Sequence, residues 1–100
     1  LNYLNYTNPN RLKSPVIIYN WIQKHNIRQI YIVGCHYNLC IRGVYNAVEL
    51  ASAKLTTPLE AHIIEECTAV LEDDQIITVA EYEKKGNKVY NVVKLRDVAR

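Results

Sequence analysis

The run Ile30-Tyr31-Ile32-Val33 ends at Gly34 and is followed, after a short loop, by an amphipathic stretch. Few features restrict a chain more. Four consecutive β-branched or aromatic residues with no polar alternation describe a strand buried on both faces, as parallel sheets require. From Cys40 to Lys54 the period changes to 3.6, with Ile41, Val44, Ala47, Val48 and Ala51 on one face and Glu49 and Lys54 outside. The strand and helix are flanked by similar units. Ser14 is a good N-cap, Pro15 suits the first helical position, and Ile17, Ile18, Trp21 and Ile22 form one apolar stripe that Lys24, His25 and Asn26 close. After the Thr56-Thr57-Pro58 break, Ala61–Ile64 reads as a second buried strand, followed by Glu65, Glu66 and Cys67. Asp73 and Asp74 are expected to start a third helix carrying Ile76, Ile77, Ala80 and Tyr82, with Gly86 as its left-handed cap. Lys88–Val93 reads as a third strand, Lys94–Arg100 as a tail, and residues 1–13 as a loop or arm. Helix and strand therefore alternate three times. The expected class is α/β, Rossmann-like in the broad sense, with right-handed crossovers, a parallel sheet and helices on both faces. One hundred residues leave room for a single domain with a thin core.

Composition narrows the function. A net charge of +2 is too small to argue for nucleic acid or an anionic membrane, and no apolar run reaches the length of a membrane helix. Three cysteines, Cys35, Cys40 and Cys67, form no CxxC pair, which suits free thiols in a reducing, cytoplasmic setting. With no Met, the chain is expected to be a piece of something longer. Ligands of parallel sheets sit beyond the carboxyl ends of the strands. The loop Gly34-Cys35-His36-Tyr37-Asn38-Leu39 lies there and delivers Cys40 to the first turn of the next helix. Unpaired backbone N–H groups and the positive end of a helix dipole attract negative charge, the condition for a nucleophilic sulfur and for holding an oxyanion. The plainer alternative makes Cys40 a small packing residue at a strand-to-helix turn. Cys35 and Cys67 are expected to pack in that way. Cys35, His36 and Cys40 lack a fourth ligand at zinc spacing, so no metal site is expected. Gly34 stands alone where a dinucleotide fingerprint needs three glycines, which counts against a plain nucleotide-binding domain.

The stretch Ile30–Gly43 resembles the nucleophile segment of isochorismatase-like cysteine hydrolases, the superfamily of nicotinamidases, N-carbamoylsarcosine amidases and isochorismatases. Its pattern is apolar strand, Gly, five residues, Cys and an apolar residue. Thr-Asp commonly stands three and two before the Cys, where this chain has Tyr37 and Asn38. Some branches carry His four before, Asn two before and Gly three after the Cys, a version that His36, Asn38 and Gly43 fit. Val16–Ile27 is similar to the preceding helix and turn, and Glu65-Glu66-Cys67-Thr68-Ala69 to a strand end usually written Glu-Asp-Ala-x-Ala. The resemblance covers most of the chain but only the C-terminal half of the family's fold. It implies that Cys40 is the nucleophile, that the N–H groups of His36 and Cys40 form the oxyanion hole, and that Gly34, Asn38 and Gly43 support the loop. It also implies a cis peptide bond between Cys35 and His36. The substrate would be a small molecule carrying an amide or related C–N bond, or a vinyl ether, with no cofactor. The family's Asp base and Lys would lie before Leu1, as would any metal ligands, because Lys13 stands on the wrong side of the first helix. A half-fold with an open sheet edge is expected to form a homo-oligomer or to associate with the missing half. The competing expectation is a catalytically inactive module retained for interaction or oligomerisation.

Overall fold

The computed structural model describes residues 9–98, side chains from residue 11 on. The chain is α/β, with four strands in an open sheet among the described residues. A 3-10 turn, Pro9–Lys13, leads into α1, Pro15–His25. Residues 1–8 of the expected arm lie outside the described residues. Ser14 has extended backbone and its hydroxyl accepts the Ile17 N–H at 3.3 Å, while Asn26 closes the helix at φ 52° with its N–H on the Ile22 carbonyl. Both ends are thus capped by residues suited to the task. β1 follows, Gln29–Gly34, then a π turn, Tyr37–Ile41, and α2, Arg42–Ser52. β2 is Glu60–Glu72, β3 Gln75–Thr78, α3 Val79–Lys84 and β4 Val92–Val93, and a 3-10 turn at Leu95–Asp97 ends the described chain.

Four expectations are corrected. The second strand does not stop at Ile64. It continues through Glu65, Glu66 and Cys67 to Glu72, because its second half finds a partner strand. That partner is β3, antiparallel to β2 with Ala69 opposite Thr78 and Glu72 opposite Gln75, so the sheet is not all parallel. Asp73 and Asp74 do not start a helix. Both take positive φ, 49° and 60°, the backbone of a two-residue hairpin turn of the primed type. The third helix starts only at Val79. Thr78 caps it with a hydroxyl that accepts the Glu81 N–H at 3.0 Å, and the Glu81 carboxylate accepts the Thr78 N–H in return. The last strand is also shorter than Lys88–Val93. Only Val92 and Val93 pair, parallel to Ile63 and Ile64 of β2. The sheet order is β1-β2-β3, with β4 also beside β2.

The described residues cluster into two compact units, 9–30 with 43–61, and 31–42 with 62–98. In the first, Ile18 and Ile22 of α1 and Ala47, Val48 and Ala51 of α2 are buried. The Ser52 hydroxyl, also buried, accepts the Leu59 N–H at 3.2 Å and ties the link after α2 to the helix end. In the second, Ile32, Tyr37, Ile41, Ile63, Ile64, Val70 and Val79 are buried. Thr68, the polar residue among them, donates its hydroxyl to the Ile64 carbonyl at 2.8 Å, which removes the penalty for burying it.

Candidate functional site: the loop after β1 and the cleft beside it

The loop is shaped first by Gly34, whose φ of +132° lies in the region that side chains other than glycine rarely adopt. A Cβ here would also meet Ile41 Cδ1 at 3.4 Å. Cys35 follows, exposed, and the Cys35–His36 peptide is cis, as expected. The His36 carbonyl then accepts two N–H groups, from Leu39 and from Ile41, each at 3.1 Å. The second of these spans five residues and opens the turn into a π helix, a wider coil than an α turn. Cys40 sits in that turn, half-buried, immediately before α2. The His36 N–H donates to no backbone carbonyl among the described residues, and its Nδ1 is buried with no hydrogen-bond partner among them.

Tyr37 anchors the loop. Its side chain is 2% exposed, its hydroxyl accepts the Tyr90 N–H at 3.1 Å, and its ring lies 6.0 Å from that of Tyr82. In the sequence Tyr37 stands out only as a departure from a motif. Nothing local marks it, because its partners stand 45 and 53 residues away. Asn38 and Leu39 are exposed beside it. Gly43 belongs to the other compact unit, where a Cβ would meet the aliphatic stem of Lys13 at 3.0 Å.

Gly34, His36, Asn38 and Cys40 are thus held in one short loop. A cleft of about 370 Å³ opens beside its start, lined by Gly34, Cys35, Glu66, Cys67 and Thr78 among others. His36 and Cys40 are not on its lining. Cys35 and Cys67 are both exposed, which corrects the expectation that they pack as small apolar residues. They face the cleft because Gly34 turns the chain out of β1 and because β2 runs on past Ile64. Glu66 accepts the Leu95 N–H through Oε1 at 2.9 Å, and this bond holds its carboxyl below the usual carboxylate range, with Lys94 and Arg96 adding to the effect. Lys94 also pairs with Glu65 at 3.2 Å. Among the described residues no three His, Cys, Asp or Glu side chains form a group that could hold a metal ion. Compared with protein-family models, curated proteins and solved structures, the chain matches none, so its likeness to any family rests on its own residues.

Proposed function

We propose that this chain carries the nucleophile of an isochorismatase-like cysteine hydrolase acting on an amide or related C–N bond, or a vinyl ether, of a small molecule. The observation behind this reading is the position of Cys40 in the helical turn entered from the carboxyl end of β1, four residues after His36. In this reading the Cys40 sulfur attacks the substrate carbonyl carbon, and the thiol proton passes to a carboxylate base. The N–H groups of His36 and Cys40 hold the oxyanion. The C–N bond then breaks, the amine leaves with a proton, and water hydrolyses the thioester to release the acid and restore the thiol. The Asp base and the Lys come from outside these residues. The open sheet belongs, on this reading, to a Rossmann-like three-layer arrangement with helices on both faces. It is completed by the rest of the fold or by a further copy of the chain, in the reducing cytoplasm where free thiols persist.

A catalytically inactive interaction or oligomerisation module is the second reading. It is favoured by Ile76, 69% exposed on β3 at one end of the strand order.

Timed alkylation at neutral pH, read by peptide fragmentation, separates the two. Access alone favours Cys35 and Cys67, both exposed, over the half-buried Cys40. The hydrolase reading expects Cys40 to react first despite this. It also expects Cys40→Ser to lower release of amine from responsive small amides by at least about a thousandfold in the full-length protein. Slower labelling of Cys40 than of its neighbours would leave the interaction module as the better reading.

A further inference from the structure

We propose that Cys35 and Cys67 are a redox pair that closes into a disulfide across the cleft they both line. The proposal does not depend on the hydrolase reading. Both thiols are free, exposed and on the wall of one cleft. β1 and β2 are neighbours in the sheet, and the rings of Tyr31 and His62 lie 6.2 Å apart across them. Cys35 is the first residue beyond the end of β1, and Cys67 lies within β2. Neighbouring strands lie about 4.8 Å apart. A disulfide takes roughly 4.4–6.8 Å between Cα atoms. Strand alternation would point successive side chains to opposite faces, but Gly34, at φ +132°, turns the chain just before Cys35. Both sulfurs then open on the same space.

The oxidant is of the disulfide class, such as oxidised glutathione. One thiolate attacks the glutathione disulfide and expels one glutathione thiolate. The second cysteine attacks the mixed disulfide, forms the Cys35–Cys67 bond and expels the other. Two thiols lose two electrons, and their two protons pass to the two glutathiones. Glu66 and Glu81 line the same cleft and repel the anionic tripeptide of the mixed disulfide, which favours the second step over a lasting adduct. Cys40, off the cleft and inside the π turn, is left as a thiol.

The test equilibrates the full chain in buffers of reduced and oxidised glutathione, quenches with acid, alkylates and maps the peptides without reduction. The expected result is a single bond between Cys35 and Cys67, with Cys40 recovered alkylated. Half-closure is expected at a ratio of oxidised to reduced glutathione at least about tenfold more reducing than in concentrated urea, because the fold supplies the proximity. Cys40→Ser keeps the bond, and Cys35→Ser and Cys67→Ser each lose it. A bond to Cys40, separate glutathione adducts on Cys35 and Cys67 without closure, or equal closure in native buffer and in urea would each overturn the proposal.

Discussion

Helix α1 and the segment from Ala69 to Lys84 are both ended by polar residues at defined backbone angles, but they are held by different kinds of interaction. In α1 the cap at Ser14, the proline at the first position, the buried stripe of Ile18 and Ile22 and the left-handed Asn26 all lie within 13 residues and agree. The Ala69–Lys84 segment turns on two aspartates that suit two structures. An acidic pair before an apolar run fits a helix start, and the same pair tolerates the left-handed backbone of a hairpin turn. β2 decides between them, since Val70 and Leu71 offer a ladder to Ile76 and Ile77. Once those residues are paired, Thr78 becomes the helix cap in place of the aspartates. Local chemistry decides a structure where its signals coincide, and strand pairing decides it where they conflict.

That contrast can be broken or sharpened by substitution. The largest effect is expected from Ile18→Ala in α1. Its side chain is 2% exposed, and the change should cost about 2–5 kcal/mol, whereas Ile76→Ala on the exposed side of β3 should stay within about 0.5 kcal/mol. Urea unfolding of both variants measures this. A comparable loss for Ile76→Ala would mean that β3 is covered in solution and that the contrast in burial is wrong.

The hairpin turn comes next. Asp74→Val forces a β-branched residue into φ 60° and should cost about 1–2 kcal/mol. Asp74→Gly, which that angle suits, should not destabilise the chain. If the two variants melt alike, the turn does not govern the segment.

The caps then allow a direct comparison. Ser14→Ala and Thr78→Ala should each cost about 1 kcal/mol, with Thr78 at the upper end because its hydroxyl also donates to the Glu81 carboxylate at 3.1 Å. Thermal melts in which Thr78→Ala has no effect would show that pairing alone sets the start of α3.

The smallest effect concerns Glu66. Its carboxyl is held below the usual range chiefly by the Leu95 N–H, so its contribution is full above the ordinary carboxylate pKa and is lost as pH falls through the lowered value. The Leu95 amide resonance should titrate in that acid window and cease to do so in Glu66→Gln.

The candidate site shows the same division. A strand ending in Gly34 and delivering Cys40 to a helical turn is legible in the residues, because strand propensity, the glycine and the change of period are all local. The wide π turn is not, since its geometry depends on the His36 carbonyl accepting from Ile41 as well as Leu39 and on Tyr37 reaching Tyr82 and Tyr90. The cleft was equally hidden. Cys35 and Cys67 stand 32 residues apart, and only the neighbouring of β1 and β2 brings them to one wall.

The sequence by itself determined α1 with both its caps, the place of β1 and the course of α2, and with them the α/β class, but the expected burial of β1 on both faces is not met, since Val33 is 52% exposed and only Ile32 of the strand is buried. In these segments the hydrogen bonds close within a few residues, so the side chains that satisfy them are neighbours in the chain. Tertiary structure alone decided the length of β2, the hairpin at Asp73-Asp74, the late start of α3 and the burial of Tyr37. A strand's N–H and C=O groups must be met by another segment, and no periodicity in Glu65–Glu72 says which segment that is.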